Sequence, residues 1–210
     1  MQNEAYVVET VSVDSAILYF KEIICEEVLD QIQHAYLALK TLEYIIDLTP
    51  SYNSILIQYD INHYNHLSIK EAILKQVLEY REITAEKSHK LIEIPVDYSK
   101  GIDLERVAEI NNVSTQEVIA KHTQTTYRVY AIGFMVGFAY LAKVDDTIAT
   151  PRLSTPRDKV PKGSVAIADT QTAIYPQDSA GGWNIIGHTD FEDFDHFEVG
   201  NSVRFIDARL

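Results

Sequence analysis

Apolar residues recur along this chain with two periods. In Cys25–Leu42, the residues Val28, Leu29, Ile32, Tyr36 and Leu39 fall on one side of a 3.6-residue helix. A second helix is predicted from Ser68, where Ser68 and Glu71 stand at capping-box spacing and Ile69, Ala72, Ile73, Val77 and Leu78 form the apolar face. Around these helices, Tyr6–Ser12, Ala16–Phe20, Tyr44–Leu48, Ser54–Tyr59 and Leu91–Val96 read as strands, with a turn near Asp14 and a stop at Thr49-Pro50. The order β-β-α-β-β-α-β predicts a two-layer α+β unit of ferredoxin-like type over residues 1–90. Leu91–Val96 stands at its boundary and fits either side.

The pattern then changes. Asp103 is placed to cap a short helix over Leu104–Ile110, and Ser114 with Glu117 forms a capping box before Val118 and Ile119. Beyond His122 come short β-runs at Tyr127–Ile132, Ser164–Asp169, Ala173–Tyr175, Trp183–Gly187 and Ser202–Ile206, separated by Gly and Pro. Such spacing predicts a β-barrel or sandwich with long loops over residues 91–210.

Composition narrows the classes of function. At 210 residues the chain can bury two small cores or one large one. A formal net charge of −13 argues against a nucleic-acid partner, since neutralising phosphate dominates that affinity. No apolar run approaches the ~20 residues of a membrane span. Met1–Glu9 has no basic segment and carries two glutamates, so no signal peptide is expected. The single cysteine, Cys25, permits no disulfide within one chain and suits a reducing, cytoplasmic setting.

Candidate chemistry gathers in Pro151–Thr189. Arg152 and Arg157 each follow a proline, and an arginine fork suits carboxylate, phosphate or carbamoyl oxygens. A proline-stiffened loop lowers the entropy cost of holding two forks, although surface arginines also bridge to acids. Lys159 and Lys162 extend the positive patch. Gln171, Tyr175 and the Gly181-Gly182-Trp183 turn offer polar groups and a ring for a pocket wall. Gly133-Phe134 and Gly137-Phe138-Ala139-Tyr140 read as close backbone approach beside aromatics, or as barrel packing. His122 is a candidate proton carrier or a capping histidine. No metal site is expected: His34, His63, His66 and His89 lack ligand spacing, and His188, Asp190 and His196 lie in an irregular acidic segment. Neither a phosphate-binding Gly-Lys-Ser/Thr loop nor a Gly-x-Ser-x-Gly elbow is present.

The motifs in order resemble one known family. Asp14-Ser15-Ala16, Pro50-Ser51-Tyr52, Tyr59-Asp60, Ile94-Pro95-Val96, Gly133-Phe134, Gly137-Phe138-Ala139-Tyr140-Leu141, Pro151-Arg152, Pro156-Arg157, Gly163-Ser164, Gln171-Thr172, Tyr175-Pro176 and Gly181-Gly182-Trp183 are similar to those of the B subunits of bacterial ATP-dependent 5-oxoprolinases. That family, formerly called allophanate hydrolase subunit 1, includes the KipI-type inhibitors of histidine kinases and is related to the carboxyltransferase part of urea carboxylase. The resemblance implies a ferredoxin-like domain followed by a cyclophilin-like β-barrel. It also implies two partners, a barrel-bearing C subunit and an A subunit, with ATP as the energy source at the level of the complex. The implied reaction opens the 5-oxoproline lactam to L-glutamate. On the family motifs, Arg157 and His122 would be catalytic, while Arg152, Gln171, Tyr175 and Trp183 would bind substrate. Inhibition of a sensor histidine kinase is the alternative role, and allophanate or urea-carboxylase chemistry a weaker one. The chain departs from the family pattern at Val136 (usually Pro), Asp169 and Ala173 (usually Gly), Ala180 (usually Pro) and His188-Thr189-Asp190 (usually Arg-Thr-Pro).

Overall fold

Val7–Ser12 (β1) and Ser15–Tyr19 (β2) pair antiparallel across a turn in which the Asp14 carboxylate accepts from the hydroxyls of Ser12 and Ser15. Glu26–Lys40 (α1) follows, with Cys25 as its N-cap residue and Val28, Leu29, Ile32, Ala35, Ala38 and Leu39 buried. Ile45–Ser51 (β3) and Ser54–Tyr59 (β4) form a second hairpin. His66–Glu79 (α2) begins two residues before the start predicted at Ser68. Asn65, as good a cap former as Ser68, accepts from the backbone of Leu67 and Ser68, and the Ser68 hydroxyl accepts from Asn65. The capping box is therefore Asn65 with Ser68, not Ser68 with Glu71.

The four strands lie in the order β1-β2-β4-β3 with every neighbouring pair antiparallel. β2 and β3 thus run parallel on either side of β4, joined by α1. β3 continues through Pro50 instead of stopping before it, because it is an edge strand, where a residue without N–H is tolerated. Val8, Ala16, Leu18, Ile55, Ile57 and Tyr59 pack against the helices in one core. Burying each such side chain contributes roughly 1.5–3 kcal/mol.

The computed structural model describes residues 6–80 and 91–209, and the chain divides into two compact units, Met1–Ser88 and His89–Leu210. His89 and the boundary expected at residue 90 lie outside the described residues. Leu91–Val96 (β5), which the sequence left at the boundary, belongs to the second unit. There it is followed by Leu104–Asn111 (α3), Thr115–Gln124 (α4), Thr126–Ile132 (β6), Ala139–Ala142 (β7) and Arg157–Val160 (β8). Ser164–Ala168 (β9), Gln171–Ile174 (β10), Ser179–Gly181 (β11), Asn184–His188 (β12) and Ser202–Asp207 (β13) complete it.

Seven of these strands form one sheet in the order β12-β9-β10-β7-β6-β13-β5, antiparallel except for the β13–β5 pair. Asp97, just past β5, and His188, at the end of β12, exchange backbone hydrogen bonds of 2.8 and 3.1 Å. The two edges meet there, and the sheet is a nearly closed barrel. Its interior holds Ile94, Val129, Leu141, Val165, Ile167, Ile174, Ile186 and Phe205, joined by Leu104 and Val107 of α3 and Val118 of α4.

All five residues of β9 are buried, so no alternation shows along it. Val165 and Ile167 face the barrel interior. Ala166 and Ala168 face a second cluster, with Phe138, Val160, Ala173, Tyr175, Trp183 and Ile185. The ribbon of β8 and β11 supplies Val160 to this outer cluster. Among the described residues no helix is long and apolar enough to cross a membrane.

Candidate functional site

Strand β10 sorts the sequence candidates onto two faces. Side chains alternate along a strand, and Thr172 and Ile174 point into the barrel. Gln171, Ala173 and Tyr175 take the other face, the one carrying Trp183. Three alanines, Ala166, Ala168 and Ala173, leave room above the sheet for large rings. Phe138 meets Tyr175 and Trp183 edge-on, at 5.4 and 5.7 Å between centroids, and Tyr140 lies 5.9 Å from Trp183. Burial raises the phenol pKa of Tyr175, opposed by a hydrogen bond from the Trp183 backbone and by the charges of Arg152 and Arg157. Both arginines therefore act on the one buried phenol. A Cβ at Gly181 would stand 2.3 Å from the Tyr175 hydroxyl oxygen, so only glycine admits that phenol.

The arginines differ in how they are held. Arg152 is on a loop, its side chain 58% exposed, with its guanidinium 5.6 Å from the centre of the Trp183 ring and Nε 3.9 Å from Asp169. The loop itself is fixed: buried Asn184 donates to the carbonyls of Pro151 and Ile167, and the Leu153 N–H donates to Gly182 at 2.7 Å. Arg157 is not on the loop that the sequence suggested but opens β8, opposite Gly181. Its Nη2 donates to Asp103 Oδ1 at 2.6 Å. The second Asp103 oxygen accepts from the Ile185 N–H at 2.7 Å. Nη1 of Arg157 is buried and has no hydrogen-bond partner among the described residues.

Asp103 is the residue that sequence reasoning misassigned. It precedes α3 as a cap should, yet its side chain makes no cap hydrogen bond and serves β8 and β12 instead. An aspartate before a helix carries no sequence signal that separates these uses. Lys159 and Lys162, by contrast, reach surface acids, Asp178 at 2.7 Å and Glu192 at 3.0 Å. Exposed pairs of this kind contribute little.

His122 lies on the opposite face of β10, inside the barrel, with no exposed surface. Its Nδ1 meets the Tyr98 hydroxyl at 2.7 Å and its Nε2 the Thr172 hydroxyl at 2.9 Å, while its ring stacks on Phe205. Burial pushes its pKa down to about 3, so the imidazole is neutral at ordinary pH. Among the described residues its hydrogen bonds and ring contacts go to Tyr98, Thr172, Tyr127 and Phe205.

Two departures from the family pattern have a local explanation. Asp169 sits in the two-residue β9–β10 turn at φ +52°, in the left-handed region where glycine is easiest and Asp is among the better substitutes. His188 lines a groove of about 320 Å³ at the barrel seam, with Pro95, Asp97, Lys100, Asp190 and Phe191. Its Nε2 lies 3.1 Å from the Lys162 carbonyl oxygen. Among the described residues no group of three or more His, Cys, Asp or Glu is arranged to hold a metal ion.

The turn between β6 and β7 is built around two left-handed residues, Phe134 at φ +69° and Gly137 at φ +79°. That conformation costs a residue with a Cβ about 1–2 kcal/mol. Gly137 lies so close to Phe194 that an added Cβ would be 2.7 Å from the Phe194 Cβ. The turn closes with Gly133 N–H to Phe138 and Phe138 N–H to Met135, both 3.1 Å. Its tip leaves Phe134 66% and Val136 85% exposed.

Comparison with known proteins places this arrangement. Residues 6–202 match the family described as carboxyltransferase domain, subdomain C and D. The 5-oxoprolinase B subunit of Bacillus subtilis is 37% identical over 199 residues, covering 88% of this chain and 82% of that protein. Its counterpart of the same name in Haemophilus influenzae is 43% identical over 124 residues, covering 55% of this chain and 58% of that protein. Among solved structures, TTHA0988 superimposes with a TM-score of 0.80 at 32% identity, covering 94% of this chain but 40% of that longer one.

Proposed function

The chain belongs to the carboxyltransferase subdomain C and D family and, within it, to the 5-oxoprolinase B subunits, and from that premise we propose that it is a non-autonomous member of an ATP-dependent 5-oxoprolinase complex. The observation that carries this reading is the identity to the Bacillus subtilis protein along most of both chains. The complex would open the lactam C–N bond of 5-oxoproline, adding water to give L-glutamate, with hydrolysis of a phosphoanhydride driving the step.

On this reading the outer cluster is the substrate side. Arg152 holds a carboxylate or phosphoryl oxygen with an exposed fork set over Trp183, which forms a wall with Tyr140. Arg157 supplies a second positive charge whose position Asp103 fixes. Gln171 shares that strand face and can hydrogen-bond a reacting carbonyl. Tyr175 shapes the floor through its hydrogen bond with the Trp183 backbone. His122, neutral and enclosed on the other face of β10, serves as a positioning residue for the barrel rather than as a proton carrier.

The Gly-Lys-Ser/Thr loop is absent, and the N-terminus of α4 is closed by the Ser114–Glu117 capping box, whose carboxylate repels phosphate. ATP would act at the level of the complex, whose other members would be an A subunit and a C subunit of related barrel fold. The split β2-α1-β3 arrangement around β4 supports a ferredoxin-like reading of the first unit, and the nearly closed sheet supports a cyclophilin-like reading of the second. The lone Cys25 favours the cytoplasm. The names of the relatives favour the enzyme role over the kinase inhibitor. Reconstitution with the cognate subunits tests the proposal: L-glutamate release that requires both 5-oxoproline and ATP is expected, and an assembled complex without turnover overturns it.

A further inference from the structure

We infer that Arg106 is a positioning residue for Arg152, acting through the side chain of Asn184. The backbone is pinned on both sides of Arg152. The carbonyl of Pro151, in the peptide that carries the Arg152 nitrogen, accepts from Asn184 Nδ2 at 3.0 Å. The N–H of Leu153, in the next peptide, donates to the Gly182 carbonyl at 2.7 Å. The side chain between them is 58% exposed. Its guanidinium can therefore meet a ligand while its root stays fixed. A fork fixed at its root in advance loses less freedom when it takes an anion.

Asn184 is fully buried, and its amide is committed at both ends. Nδ2 also donates to the Ile167 carbonyl at 3.1 Å, and Oδ1 accepts from Arg106 Nε, on α3, at 3.0 Å. The reversed amide would set Oδ1 against two carbonyl oxygens and Nδ2 against a guanidinium, which only donates. Removing the Arg106 donor leaves a buried acceptor unsatisfied, and the amide shifts toward another donor. The Pro151 carbonyl then loses its fixed partner, and the root of Arg152 moves with it. The same helix adds a second tie: Asn111 Nδ2 donates to the hydroxyl of buried Thr150 at 2.9 Å. Asp103, just before α3, holds Arg157. One helix thus sets the placement of both guanidinium forks. This inference rests on the proposed function, since the placement of Arg152 matters only if Arg152 holds substrate.

The test measures ATP-dependent glutamate release at varied 5-oxoproline by complexes assembled with the full chain. Arg106 is changed in preference to Asn184, whose loss would strip two carbonyls of their donor at once. Arg106→Gln keeps an amide donor as many bonds from the backbone as Nε, whereas Arg106→Met and Arg106→Ala have none. Arg106→Met and Arg106→Ala are expected to lower kcat/KM about threefold to tenfold, the range a lost hydrogen bond spans, with Arg106→Gln within about twofold of the wild type. In an Arg152→Ala background the Met and Ala changes are expected to have no further effect, because they act through Arg152. A merely structural loss would appear equally in both backgrounds. Equal losses with and without Arg152, equal losses for Arg106→Gln and Arg106→Met, or wild-type kcat/KM in Arg106→Met and Arg106→Ala each overturn the inference and leave the proposed function standing. Failure of both Arg106→Met and Arg106→Ala to assemble assigns Arg106 to folding and also overturns it. An assembled wild-type complex that releases no glutamate overturns both readings.

Discussion

The carboxylate of Asp103 holds Arg157 with one oxygen and the backbone of Ile185 with the other, so the residue before α3 fixes a guanidinium on β8 to the middle of β12. Asp103→Ala removes both interactions at once, leaving a buried N–H without an acceptor and a half-buried cation without a counter-charge. The expected loss is about 2 kcal/mol, below the full cost of breaking a buried pair because the Arg157 side chain is 28% exposed. Asp103→Asn keeps an acceptor for Ile185 and should lose less. Urea unfolding followed by the fluorescence of Trp183, the single tryptophan, measures the difference. Equal losses in the two variants would show that the bond to Ile185 contributes nothing beyond the charge pair.

His122 gives the fold a pH dependence whose sign follows from its burial. Its pKa is lowered from 6.5 to about 3 in the folded chain. The unfolded chain therefore takes up a proton as the pH falls through 6.5, and the folded chain does so only near 3. The contribution of neutral His122 is complete above pH 6.5 and is lost progressively as the pH falls toward 3, at up to about 1.4 kcal/mol per unit. Thermal midpoints at pH 7 and pH 5 should differ for the wild type and differ less for His122→Gln. An unchanged difference would place the acid sensitivity elsewhere.

Gly181 and Gly182 are neighbours with opposite tolerance. A Cβ at Gly181 meets the Tyr175 oxygen at 2.3 Å, whereas one at Gly182 finds its nearest atom, on Pro156, at 3.6 Å. Gly181→Ala should displace the phenol and cost about 1–3 kcal/mol, as overpacking does. Gly182→Ala should be nearly neutral. Parallel thermal melts decide it, and similar midpoints for the two variants would contradict the packing described.

The helices were legible because α1 and α4 each carry one apolar stripe, and α4 also opens on the Ser114–Glu117 capping box. The start of α2 was mistaken because Asn65 and Ser68 are both good caps and only the three-dimensional turn decides between them. Strands β7, β8 and β11 went unread. They are three or four residues long, and β8 opens on the charged run Arg157-Asp158-Lys159, which has no apolar alternation. Arg152, Arg157, Gln171, Tyr175 and Trp183 were picked out by residue type and do fall on one side of the sheet. His122 falls on the other because Thr172, its partner, is one residue out of step with Gln171. A face of a strand depends on register, which composition does not carry.

Arg152 is the side chain on which the functional account turns, since it is exposed, set over Trp183 and only weakly paired with Asp169. The most direct measurement is ATP-dependent glutamate release from 5-oxoproline by the complex assembled in parallel with the wild-type chain and with Arg152→Ala. The account predicts turnover by the first. It predicts a fall of at least about tenfold in kcat/KM for the second, as loss of a charged contact to substrate gives, with assembly and thermal midpoint unchanged. An assembled wild-type complex that releases no glutamate, or an Arg152→Ala complex that works as well as the wild type, would contradict it.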